Sequence, residues 1–235
     1  MYKYCKIALV LISLVLPSAL LAQNFNAGMK AAESGDFATA YKEWKPLAAQ
    51  GDVNAQYNLG VLYYSGQGVA QDFSEAARWY LMAAKQGDAS AQYNLGLMYY
   101  FGEGVLQDYS EAARWYRLAA EQDYAMAQYN LGLMYYFGEG VLQDYSEAAR
   151  WYRVTAKQGD AWAQYNLGVM YLDGLGVLQD NIRAYMWSDI SAFNGHEGAG
   201  EIRDTLTTTM TPTDVAKAQE MARACLTSDY QDCGE

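Results

Sequence analysis

Few residues in this chain could do chemistry, and most stand in patterns that explain them otherwise. A G-x-G-V stretch recurs at 66–69, 102–105, 138–141 and 174–177. Glycine turns of this kind can cradle phosphate, but that use needs a preceding strand and, in a P-loop, a following lysine. Neither stands here. The carboxylate pairs Asp108/Glu111 and Asp144/Glu147 could act as the two acids of a glycoside hydrolase. They recur at predicted helix starts, where capping and the helix dipole account for them. His196 is the sole histidine, set among Gly195, Glu197 and Gly198 at a predicted helix junction. It leaves no zinc set and no catalytic triad. The chain reads as a non-enzyme, with no cofactor and no metal.

Two further groups speak of compartment. Lys3 and Lys6 precede the apolar run Ile7–Leu16, and Pro17, Ser18 and Ala22 lead to a signal cleavage site before Gln23. Residues 1–22 therefore read as a secretory signal; an uncleaved N-terminal anchor is the other reading, although a bilayer span takes about 20 residues. Cys225 and Cys233 then remain as an even pair, which an oxidising compartment would join as a disulfide. The expected location is periplasmic or secreted. Removing residues 1–22 takes two lysines and no acid, so the formal net charge moves from −11 to −13. That charge argues against nucleic acid and anionic lipid, both of which need a basic footprint. It favours a basic or neutral partner.

The elements that must position everything else come from an internal repeat. Residues 55–90, 91–126, 127–162 and 163–198 are four copies at a 36-residue step, and Ala91–Arg117 equals Ala127–Arg153 at all 27 positions. In the first copy Ala55, Leu59, Leu62 and Tyr63 fall at helical spacing, predicting helix A over Ala55–Ser65. Asp72 and Glu75 form a capping-box pattern ahead of helix B, Phe73–Gln86. Gly60, Gly96, Gly132 and Gly168 recur in mid-helix, where glycine costs about 1 kcal/mol against alanine. A repeated cost of this kind implies a close crossing by helix B. Trp79, Trp115, Trp151 and Trp187 share one repeat position and read as core anchors, and Asp123 stands where a left-handed glycine is expected. Residues 23–54 form a shortened, capping repeat with Pro46 inside its second helix, and 199–235 form C-terminal capping helices and a tail. The expected fold is all-α, a right-handed helical-hairpin solenoid with N- and C-terminal caps.

The segments AQYNLGVLY, GQGV, DFSEAARW and AAKQG resemble the Sel1-like repeat family, a branch of the tetratricopeptide-like solenoids. The resemblance covers Ala55 to about Gly198, with weaker half-repeats on either side. It implies an interaction scaffold and, in bacteria, often an exported one serving envelope signalling, assembly, surface-polymer production or host contact. In related solenoids helix A lines the concave side. On that basis the candidate binding face carries Tyr57, Asn58, Tyr64, Tyr93, Asn94, Tyr100, Tyr129, Asn130, Tyr136, Tyr165 and Asn166. Tyrosine supplies rigid area and a hydroxyl, which suits recognition; the competing reading buries these rings between repeats. Glu103 and Glu139 would add a negative rim. The expected function is binding of a protein or extended peptide. A carbohydrate- or cell-wall-binding protein is the alternative, and a weak hydrolase on an acidic pair the third.

Overall fold

The computed structural model describes residues 18–233. The signal segment read at 1–22 lies outside the described residues except for its last five, which begin α1. Twelve helices and no strand occur among the described residues. They are α1 (Ser18–Glu33), α2 (Phe37–Ala49), α3 (Val53–Ser65), α4 (Phe73–Lys85), α5 (Ala89–Phe101) and α6 (Tyr109–Ala120). They continue as α7 (Ala125–Phe137), α8 (Tyr145–Ala156), α9 (Ala161–Asp173), α10 (Asn181–Phe193), α11 (Ala199–Thr209) and α12 (Pro212–Thr227). Each helix from α1 to α10 packs on the next, and both α11 and α12 pack on α10. The result is an all-α solenoid of stacked hairpins, closed at its C-terminal end by α11 and α12.

The A helices begin two residues before the expected Ala55. Asp52, Asp88 and Asp160 are extended residues whose carboxylates accept from the backbone N–H of Ala55, Ala91 and Ala163, at 2.7–2.8 Å. The third A helix lacks this cap, because Asp123 takes the left-handed position (φ 61°) and Tyr124 stands at the N-cap. The B helices are capped by Asp72, Asp108, Asp144 and Asp180, each accepting two backbone N–H groups. The expected reciprocal bond from Glu75 does not form. The N–H of Asp72 already donates to the carbonyl of Tyr63 in α3, so Glu75 pairs with Arg78 at 2.9 Å instead.

Packing follows the repeat. A β-carbon at Gly60, Gly96 or Gly132 would lie 2.5–2.7 Å from the ring of Tyr80, Tyr116 or Tyr152, so a helix-B tyrosine lies directly on the bare backbone of helix A. Trp79, Trp115, Trp151 and Trp187 are buried as expected. Trp79 packs beside Trp44 and Leu47 of the preceding hairpin and Leu59 of its own, and Trp115 and Trp151 repeat the arrangement, so these B helices each tie two repeats. The second glycine of each G-x-G turn has a positive φ and seats on backbone of the preceding B helix: Gly104 on Phe73, Gly140 on Tyr109. The turn is therefore an inter-repeat joint.

A polar ladder runs beside this core. Gln56, Gln92, Gln128 and Gln164 are buried, and each donates its amide to a carbonyl near the end of the preceding B helix, at 3.0–3.1 Å. Each also accepts from the residue ending its own B helix: Gln86, Gln122, Gln158 or Asn194, at 2.7–2.9 Å. The tail closes the ladder, since Asn194 also bonds the hydroxyl of Tyr230 at 2.9 Å. Cys225 and Cys233 form a disulfide that holds Tyr230 in place against the core around Trp187.

Two outcomes follow for stability. Gly132→Ala should destabilise by about 1–3 kcal/mol through overpacking on Tyr152, partly offset by alanine's helix propensity. Gly168→Ala should be close to neutral, because its β-carbon meets the small Ser188 side chain, its Oγ at 3.0 Å, in place of a ring. Urea denaturation midpoints of the two variants check this ordering. Replacing both tail cysteines by alanine should cost about 2–3 kcal/mol by the loop-closure estimate, read in the same assay.

Candidate binding face

The sequence-derived site residues lie on α3, α5, α7 and α9, and the structure places them at the junctions between successive A helices. Tyr57, Tyr93 and Tyr129 are half-buried, their ring centroids 5.8–5.9 Å from those of Tyr80, Tyr116 and Tyr152. Burial raises the phenol pKa of all three; a hydrogen bond from an asparagine one repeat on (Asn94, Asn130 or Asn166) acts in the opposite direction. Asn166 Nδ2 donates to the Tyr129 hydroxyl at 3.4 Å. Asn58 has the shortened repeat as its neighbour and points to Met29 Sδ at 3.8 Å. These residues are thus shared between adjacent repeats, partly as packing and partly as surface.

A second row of contacts reaches further. The Tyr64 hydroxyl donates to Glu103 Oε2 and the Tyr100 hydroxyl to Glu139 Oε2, both at 2.8 Å, joining each A helix to the next repeat's G-x-G turn. The two glutamates expected as a free rim are therefore held by tyrosine hydroxyls, because the turn sits within reach of the preceding helix. The Glu139 carboxylate disfavours phenolate and pushes Tyr100 up to about 12, with burial adding to the shift. Tyr136 has Leu175 at the corresponding turn position, and its ring contacts Phe137 and Tyr145 instead.

Two cavities open along this face. One, of about 360 Å³, lies between α5 and α7 and is lined by residues including Tyr93, Tyr100, Phe101, Tyr116, Phe137 and Glu139. The other, of about 310 Å³, lies between α7 and α9 against Tyr136, Tyr152, Tyr165 and Asn166. Leu133 and Phe137 belong to both, so the two adjoin. Phe101 and Phe137 are 62% and 61% exposed despite their size. They were not among the sequence-derived candidates, nor were Tyr116 and Tyr152. Their recurrence at 36 residues, with each phenylalanine directly before a turn glycine, is the signal that marks them. Tyr165, in the wall of the second cavity, stacks on His196 at 4.2 Å and 14°, and Trp162 meets the same imidazole edge-on at 4.3 Å.

The acidic pairs considered for hydrolysis are committed elsewhere. Asp108 and Asp144 each accept two backbone N–H groups, while Glu111 and Glu147 pair with Arg114 and Arg150 at 2.9–3.0 Å. Among the described residues no group of three or more His, Cys, Asp or Glu is placed to hold a metal. No described helix is long and apolar enough to cross a membrane.

Comparison with known proteins agrees with this architecture. The profile of the Sel1 repeat matches residues 53–88, 89–124, 125–160 and 163–196. The first three matches begin at residues of the observed A-helix starts, ahead of the alanines read from the sequence. A crystal structure of c5321, a protective antigen of uropathogenic Escherichia coli displaying an SLR fold, is 32% identical with a TM-score of 0.77. That similarity covers 94% of this chain and 49% of the other, so the chain spans about half the length of that structure. The Sel1 repeat protein from Oxalobacter formigenes is 30% identical with a TM-score of 0.74, covering 90% of this chain and 92% of the other. No curated protein matches the sequence.

Glu139→Gln should bring the Tyr100 phenol down from about 12 toward the ordinary tyrosine value of about 10. The sign follows from the neutral phenol being the bonded form. The contact contributes fully below the unfolded tyrosine pKa and is lost as pH rises through the folded one. Carbon-13 tyrosine NMR across that alkaline range reads the change.

Proposed function

Because the chain belongs to the Sel1 repeat family, we propose that it is an exported, non-enzymatic scaffold that binds a protein or extended peptide along its A-helix face. Sel1 repeats generally mediate protein interactions. The observation that carries the reading is the pair of adjoining aromatic cavities sharing Phe137 as a common wall. A row of cavities at a fixed step suits a partner that presents side chains along its length, and exposed Phe and Tyr are residues on which binding energy concentrates. The net charge of −11 favours a basic or neutral partner. Export is supported by the Cys225–Cys233 bridge and by the signal-like character of residues 1–22. We extend the reading to a role in envelope signalling, assembly or host contact, which would suit an exported scaffold.

The test is crosslinking capture from the source cell's envelope fraction, with the protein and with its Phe101→Ser/Phe137→Ser variant as baits. Loss of two phenylalanine anchors, each worth about 1.5–3 kcal/mol when fully buried, should weaken retention of the dominant protein at least tenfold. An unchanged thermal melt would show that the fold is intact. Retention unaffected by the substitutions would remove this face from consideration. Wall polysaccharide as the sole retained material would favour the carbohydrate reading.

A further inference from the structure

On the reading of this face as a peptide groove, we propose that the cavity between α5 and α7 takes a cationic side chain of the partner, a lysine or an arginine. The three junctions joining α3, α5, α7 and α9 use the same repeat positions but not the same residues. Between α3 and α5, Ser65 stands where Phe101 stands one repeat later. Between α7 and α9, Asp173 replaces Phe137 and Leu175 replaces Glu139. The middle junction alone combines two phenylalanine walls, tyrosines and a carboxylate.

That combination has one good complement. Aromatic walls exclude water and present the negative faces of their rings to a cation. Glu139 Oε2 accepts from Tyr100, which fixes the carboxylate, while Oε1 accepts from no group of the described chain. Glu139 is half-buried and pairs with no lysine or arginine among the described residues, and no cationic side chain lines the cavity. A neutral apolar side chain entering here would strip water from the carboxylate and return nothing to it. An acidic one would be repelled. A lysine or arginine lays its methylenes on the rings and brings its charge to Glu139, as such side chains do wherever an apolar wall ends in a polar group. The acidic charge of the whole molecule draws the same kind of partner toward the face.

The test is methyl NMR of Leu97 and Leu133, which flank this cavity, titrated with N-acetyl-lysine methylamide, N-acetyl-arginine methylamide and N-acetyl-norleucine methylamide. The two cationic probes should shift both methyl groups and bind about fivefold tighter than norleucine, and Glu139→Gln should erase that preference. Glu103→Gln should leave it intact. Norleucine binding as well as lysine, a preference that survives Glu139→Gln, or no shift with any probe would each overturn the assignment. The groove itself is judged separately: it falls only if Phe101→Ser/Phe137→Ser retains the captured partner, whichever way the probe titration goes.

Discussion

A tyrosine ring packed on bare helix backbone sets the geometry of each of the first three full hairpins. Gly60, Gly96 and Gly132 have no side chain, so Tyr80, Tyr116 and Tyr152 approach to 2.5–2.7 Å of where a β-carbon would stand, well inside van der Waals contact. Two consequences follow. Helices A and B cross closely, which fixes the angle of the hairpin. The tyrosine, drawn under helix A, also lends its ring to the floor of the cavity beyond it, as Tyr116 and Tyr152 do. Packing and site are thus made by the same contact. Where the contact changes, so does the repeat: Gly168 meets Ser188, and the fourth hairpin turns its B helix toward α11 and α12 instead of toward another full repeat.

Close crossing within a hairpin does not by itself stack one hairpin on the next. The apolar surface between them is built from alanines, leucines and methionines that could slide over one another at little cost. The buried glutamines remove that freedom. Each has one donor bond to the preceding B helix and one acceptor bond to its own, and a shift of register would leave an amide unpaired in the core, at about 1–3 kcal/mol for each orphaned group. The aspartate N-caps and the G-x-G joint on the preceding backbone act at the two ends of the same interface. Asp123 and Tyr124 show what a repeat tolerates: one junction lacks both the left-handed glycine and the capping carboxylate, and across it Gln128 still donates to the carbonyl of Ala120, as its counterparts do elsewhere in the stack.

Much of this architecture was legible because the repeat averages out local ambiguity. A single mid-helix glycine says little; four at one step imply a steric requirement, and the clash partner confirms it. The tryptophans and the αL aspartate were readable for the same reason. The reciprocal capping bond was not, since its donor is consumed by a carbonyl nine residues earlier, a contact that depends on the path of the turn. The glutamine ladder was also missed, because a glutamine at a buried position looks like any surface polar residue until its two partners, 8 and 30 residues away, are seen. At the candidate face the tyrosines and asparagines were read as a row, helix by helix, and not as pairs. Each spans two repeats, and a helical wheel treats one helix at a time.

That last point bears on how an array of near-copies can hold a distinctive site. Ala91–Arg117 and Ala127–Arg153 are identical, so neither copy by itself carries anything the other lacks. The cavity between them takes Tyr93, Tyr100 and Phe101 from one and Phe137 and Glu139 from the next. Its composition is a property of the junction. A unit with phenylalanine at the end of helix A and glutamate in its turn yields two aromatic walls and a carboxylate only when it follows itself. At the outer junctions those groups are replaced, one wall by Ser65 on one side, and both the second wall and the carboxylate by Asp173 and Leu175 on the other. Two identical neighbours therefore suffice to make one junction unlike the rest, with no change in the packing rules that build the stack.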